Sequence, residues 1–190
     1  MKNLVVVHGK PTRERYEDPK EPKPHMANWL PWLGIQVQAE GIAVAIPALP
    51  KPYFPDYEAW KNVFEENTVG SDTALVGHSA GAEFILRWMS ENQDVTVEQA
   101  VLVAPYKDFE GKYGDFSKYT LDDSIARRVG RITIFSSLDD DAPILRRTHE
   151  LVSSLPEADL IELDGYGHFR IGHNMQSEEF LQLLEVLQIQ

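Results

Sequence analysis

The residue types that point to chemistry in this chain are a serine between two glycines, a run of aspartates and a histidine in a glycine-flanked loop. The serine lies in Gly77-His78-Ser79-Ala80-Gly81. It follows the short apolar run Thr73-Ala74-Leu75-Val76 and precedes a segment where Phe84, Ile85, Trp88 and Met89 recur at helical spacing. That order predicts a strand, a sharp turn and a helix, with Ser79 presented on the turn. The glycines answer a steric demand, because a Cβ at Gly77 or Gly81 would strike the neighbouring strand or helix. The serine backbone itself is expected to be strained. The helix N-terminus would aim free N–H groups and a positive dipole end at any oxyanion forming beside Ser79. The five-residue pattern is short enough to arise by accident, so its flanking strand and helix carry the weight.

A serine hydroxyl is a poor nucleophile at neutral pH and needs a base within hydrogen-bond reach. In enzymes that present a serine this way, the acid and then the histidine follow it in the chain. His168 sits in Asp164-Gly165-Tyr166-Gly167-His168-Phe169, just past an expected strand and before the last expected helix. The other histidines are placed less well. His149 falls on a helix, His25 precedes one and His173 lies five residues beyond. His78, inside the turn, is expected to point away from the reacting atoms. His8, at the end of the first strand, is placed to organise the loop that follows it. The carboxylate has three neighbouring candidates, Asp139, Asp140 and Asp141. Successive residues at a strand end point in different directions, so one of them faces His168. The other two read as a cap and dipole partner for the next helix.

The elements that must position these groups alternate along the chain. Strands are expected near residues 3–8, 42–46, 73–77, 99–104, 131–136 and 159–163. Helices are expected near 25–39, 56–67, 80–92, 121–128, 144–154 and 177–188. This is the pattern of a parallel sheet flanked by helices, α/β in class, and residues 1–190 read as one domain. On such sheets ligands bind beyond the strands' C-terminal ends. The loop at residues 12–25 holds eight charges and three prolines, a composition that cannot bury itself. Five aromatics, Tyr106, Phe109, Tyr113, Phe116 and Tyr119, follow the fourth strand, either to line a pocket or to pin a long loop.

Composition narrows the field. The net charge of −12 opposes nucleic acid and anionic membrane partners. There is no apolar run of membrane-spanning length, and the expected location is cytoplasmic. With no cysteine, thiol nucleophiles, disulfides and thiolate metal sites are excluded. No metal or nucleotide motif occurs, so no cofactor and no metal are expected.

The chain resembles the retinoblastoma-binding protein 9 family of compact α/β-hydrolases, small serine hydrolases widespread in bacteria. The resemblance rests on Val7-His8-Gly9, Trp29-Leu30-Pro31-Trp32-Leu33, Gly77-His78-Ser79-Ala80-Gly81, Ser136-Ser137-Leu138-Asp139-Asp140 and Gly167-His168-Phe169. It implies a three-layer fold of about six parallel strands, without the N-terminal antiparallel hairpin of larger hydrolases and without a cap domain. It implies a catalytic Ser79, His168 and Asp140. The sequence departs from the family at Asp141-Ala142-Pro143-Ile144, where an apolar residue usually precedes the proline, and a broader hydrolase pattern would choose Asp139 instead. Asp140 lets the following helix align without a gap. The implied oxyanion donors are the backbone N–H groups of Ala80 and Lys10, since Pro11 has none. The expected activity is hydrolysis of a small carboxylester, or a related acyl compound, through an acyl-enzyme. The alternatives are a protein-interaction module on a hydrolase scaffold and acyl transfer to an acceptor other than water.

Overall fold

The structure, a computed structural model, describes residues 1–189. Six strands form one sheet: β1 (Asn3–Val7), β2 (Ala43–Ala45), β3 (Thr73–His78), β4 (Gln99–Val103), β5 (Ile132–Ser137) and β6 (Asp159–Leu163). Their spatial order is β2-β1-β3-β4-β5-β6 and every pairing is parallel. Strands β3, β4 and β5 are buried throughout, as the apolar runs require of strands covered on both faces. The edge strands β2 and β6 are partly exposed.

Side chains alternate across the sheet and build two cores. On one face Val5, Val7, Leu75 and Leu102 pack with α3 (Tyr57–Phe64), α4 (Ala80–Glu91) and the C-terminal half of α5 (Ala142–Ser154). On the other, Leu4, Val6, Val76 and Val103 pack with α2 (Leu30–Ala39) and α6 (Leu181–Leu187). These are three layers, helices on either side of a sheet, and among the described residues no cap domain stands over it.

The helix boundaries differ from expectation where proline and burial intervene. The helix expected over 25–39 begins at Leu30, after a 3-10 turn at Pro24–Met26. Pro31 has no N–H and its ring would clash with the carbonyl four residues back, so it fits only the first turn. Residues 121–128 supply a 3-10 helix at Asp123–Arg127. The last helix starts at Leu181 because Phe180, fully buried, has non-helical dihedrals. A short helix not foreseen, α1 (Arg13–Glu17), lies in the charged loop. Thr12 Oγ1 caps it by accepting from the Arg15 N–H, and Arg13 pairs with Glu17 one turn on at 2.7 Å. It buries no residue, in keeping with its composition.

The chain turns from β1 to β2 on one side and places β3 on the other. The crevice beyond the C-terminal ends of β1 and β3 is therefore the switch point of the sheet, where such folds bind ligands.

Candidate active site

Ser79 occupies the bend between β3 and α4 with φ 56° and ψ −119°, a conformation L-residues avoid. The glycines make this bend feasible. A Cβ at Gly77 would lie 2.5 Å from the Ala82 Cα. One at Gly81 would drive into the Val7 carbonyl oxygen, with that of His8 2.7 Å away. The bend is tied to β4, as the Ser79 N–H donates to the Val103 carbonyl at 2.8 Å. Ser79 is only 6% exposed, yet its hydroxyl opens onto a cleft.

The structure brings the three candidate side chains together from loops far apart in sequence. His168 Nε2 is 2.9 Å from Ser79 Oγ, and His168 Nδ1 is 3.0 and 3.2 Å from the two carboxylate oxygens of Asp140. The Asp140 side chain is 1% exposed and that of His168 19% exposed. Asp140 Oδ1 also accepts the Asp141 N–H at 2.7 Å, which fixes the carboxylate's orientation.

Asp139 and Asp141 depart from the capping roles expected of them. Asp141 precedes α5, but its side chain makes no capping bond. Asp139 instead braces the histidine loop. It accepts the Gly167 N–H at 3.0 Å and also engages the Ser137 hydroxyl and the Asn174 side-chain amide. These donors, the Ser137 hydroxyl foremost, hold its carboxyl down at about 2. The two adjacent aspartates thus divide the work: Asp140 faces the imidazole and Asp139 holds the backbone beside it.

His78 corrects another expectation. Its ring does not point away; it packs 5.2 Å from the His168 ring and borders the same cleft. His78 Nε2–H donates to the His168 carbonyl at 2.9 Å, and Trp29 Nε1–H donates to the next carbonyl, that of Phe169, at 3.2 Å. Burial, with the adjacent His168 ring, pushes His78 down to about 3, so the ring is a neutral strut. No local signal at His78 or Asp139 marks these roles, since both depend on where the distant loop returns.

His8 fastens the opposite wall. Its Nε2 accepts the Leu49 N–H at 3.3 Å, which leaves Nδ1 protonated to donate to the Gly9 carbonyl at 2.9 Å. Burial lowers it to about 4 and keeps it neutral. A trans peptide points its C=O and N–H in opposite directions. Holding the Gly9 carbonyl therefore turns the Lys10 N–H away from His8, and Lys10 lines the space beside Ser79. Ala80, first residue of α4, has no carbonyl four back in its own helix to bond, so its N–H is a free donor next to the serine.

Two clefts meet at Ser79. One is formed by Pro11, α1 and the residues before α2, and encloses about 520 Å³ including its open mouth. The other is bordered by Tyr106, Pro143 and Ile144, with Lys10 and Asp141 also on its lining. Of the five loop aromatics only Tyr106 reaches the serine. Phe116 packs edge-on against Trp60, Tyr113 against Phe54, Phe109 lies under Arg146, and Tyr119 bonds Arg147. These four pin the loop.

An all-parallel six-stranded sheet with a serine on a strained bend after the third strand is the α/β-hydrolase fold. Within it the chain belongs to the serine hydrolase family, whose model matches residues 25–185. It is 26% identical over 153 residues to YdeN of Bacillus subtilis (strain 168), spanning 75% of this chain and 78% of that protein. The crystal structure of the B. subtilis ydeN gene product superposes with a TM-score of 0.79 at 22% identity, covering 99% of this chain and 97% of that one. The fold is also similar to Est1E from Butyrivibrio proteoclasticus with ferulic acid bound (TM-score 0.63, 11% identity, 99% and 89% covered). The methylesterase MES16 from Arabidopsis matches comparably (TM-score 0.63, 14% identity, 99% of both chains). Among the described residues no helix is long and apolar enough to cross a membrane.

Proposed function

We propose that the protein hydrolyses a small carboxylester through a covalent acyl-enzyme on Ser79. The observation that carries this is the continuous line from Ser79 Oγ to His168 Nε2 at 2.9 Å and from His168 Nδ1 to Asp140 at 3.0 Å. Ser79 Oγ attacks the carbonyl carbon while His168 Nε2 takes the hydroxyl proton. The Asp140 carboxylate holds Nδ1–H, which fixes the tautomer and stabilises the imidazolium. The oxyanion of the tetrahedral intermediate accepts from the N–H groups of Ala80 and Lys10. Collapse breaks the ester C–O bond, and the departing alkoxide takes the proton from His168. Water, deprotonated by the same nitrogen, then attacks the acyl-enzyme and frees Ser79 with the carboxylic acid.

An interaction module would have no need of an aligned serine and histidine, whereas hydrolysis requires them. The shared fold with a methylesterase makes carboxylesters the first substrates to try. With 4-nitrophenyl esters of graded chain length, the proposal expects turnover that Ser79→Ala abolishes. A burst of nitrophenolate stoichiometric with enzyme is also expected wherever deacylation is slow. Turnover that persists in Ser79→Ala would overturn it.

A further inference from the structure

The cleft between Ser79 and the charged loop has a charge opposite to that of the molecule. The chain carries 30 acidic and 18 basic residues, for a net charge of −12. Yet this cleft is lined by Lys10, Arg15 and Arg170 and, among the described residues, by no acidic side chain. The three cations come from separate stretches: the loop after β1, helix α1 and the segment after His168. Two of them have company. Arg15 Nε pairs with Glu21 at 2.7 Å, and Lys10 Nζ lies 4.7 Å from the centre of the Tyr113 ring. Arg170 has neither an ion pair nor a side-chain hydrogen bond among the described residues, although it is half-buried. Burial, aggravated by the like charge of Arg15 and only partly offset by the Glu21 carboxylate that Arg15 engages, holds its guanidinium below the usual value. A guanidinium with five donors, partly stripped of water and left without an acceptor, matches a planar carboxylate. The cleft across the serine is different in kind: Tyr106, Pro143 and Ile144 give it an apolar wall, it shares Lys10 with the first cleft, and the one acidic residue on its lining, Asp141, disfavours a second carboxylate there.

We infer that the substrate carries a carboxylate on one side of its scissile bond, held by Arg170 with Lys10 and Arg15 around it, and an apolar group on the other. This rests on the serine hydrolase reading of the preceding section and names the substrate class for that same site. A local positive field in an acidic protein would also draw such a substrate in against the global repulsion.

The test compares kcat/KM for matched chromogenic esters. Mono-4-nitrophenyl glutarate against 4-nitrophenyl pentanoate puts the charge on the acyl side. 3-Carboxy-4-nitrophenyl pentanoate against 4-nitrophenyl pentanoate puts it on the alcohol side. One of the two anionic esters is expected to be preferred. Arg170→Met should lower that anionic-to-neutral ratio by about ten- to a hundredfold, the range for one hydrogen bond to a charged group. Arg170→Lys should fall between, and added salt should erode the preference. The ratio cancels any general effect on neighbouring His168. No anionic preference on either side, or a ratio that Arg170→Met leaves unchanged, would overturn the inference. Binding of glutarate to Ser79→Ala, measured by calorimetry, needs no turnover. Its loss in Ser79→Ala/Arg170→Met supports the carboxylate subsite even if no ester is hydrolysed, and an unchanged affinity defeats it. Failure of the hydrolase reading shows separately, as absence of turnover on the neutral ester.

Discussion

Asp139 and Asp140 are adjacent, carry the same charge and reach the same loop, so amidating each in turn separates the proposed chemistry from its support. In Asp140→Asn the new side chain keeps its oxygen where Oδ1 now accepts the Asp141 N–H at 2.7 Å, since an NH₂ there would face another donor. The NH₂ group is then forced into the place of Oδ2, 3.0 Å from His168 Nδ1. The retained oxygen, 3.2 Å from Nδ1, is already engaged by the Asp141 N–H, whereas the nearer NH₂ favours Nδ1 as an acceptor; the proton shifts to Nε2, and in that tautomer the nitrogen facing Ser79 cannot take a proton. The expected loss is about 10⁴ in kcat, the cost of the wrong tautomer together with the lost charge.

Asp139→Asn has no such consequence. Its oxygen still accepts from Gly167 and Ser137, and Asn174 can rotate its own amide to accept from the new NH₂. What is lost is the strengthening that a charged acceptor gives those bonds, about 1–2 kcal/mol of stability. Activity should fall by less than about tenfold, as a loosely held loop positions the base less well. Steady-state turnover of 4-nitrophenyl butanoate gives the first quantity and the urea midpoint the second. Equal losses of activity in the two variants, or a larger loss in Asp139→Asn, would refute the assignment of Asp140.

The bend and the buried histidines around it make three further predictions. Gly81→Ala should cost about 3 kcal/mol or more, or prevent folding, because its Cβ meets two backbone carbonyls of β1 and its loop that cannot step aside; a urea midpoint near wild type contradicts this. Ser79→Gly should be more stable than Ser79→Ala by about 1 kcal/mol, since glycine relieves the strain of φ 56° while giving back part of the gain as unfolded-chain entropy. Equal midpoints for the two variants would count against strain at this position. Stability should also fall as pH drops from about 6.5. His8 titrates near 4 and His78 near 3 in the folded chain, both below the unfolded value, so the unfolded state takes up protons first. His8 alone forfeits about 3 kcal/mol by pH 4. Equilibrium unfolding from pH 7 to 4 checks this, and His8→Gln should give a shallower fall than wild type.

Ser79 and His168 were legible because their signals are local. Gly77 and Gly81 announce a close backbone approach, and His168 stands at the only late strand end followed by a glycine-flanked histidine. Strands β1, β3, β4 and β5 were legible because burial on both faces demands uninterrupted apolar runs such as Leu75-Val76 and Val101-Leu102-Val103, whereas the partly exposed edge strands β2 and β6 follow from the alternation of strand and helix along the chain. The choice among Asp139, Asp140 and Asp141 came from family resemblance, since nothing local tells which carboxylate faces a loop 28 residues away. His78, Trp29 and Arg170 were not legible for a related reason. Their work is defined by partners or neighbours that the fold alone brings near. The short helix α1 is hard to read from sequence: Thr12 and the Arg13–Glu17 pair signal it, but the prolines and charge that follow point to an irregular loop.

If Ser79 is an activated nucleophile, a fluorophosphonate will phosphonylate it, and intact-mass analysis after treatment reads the result. One covalent adduct is expected, mapped to the peptide containing Ser79, absent in Ser79→Ala and strongly slowed in His168→Ala. An unmodified wild-type protein, or an adduct that survives in Ser79→Ala, would contradict it.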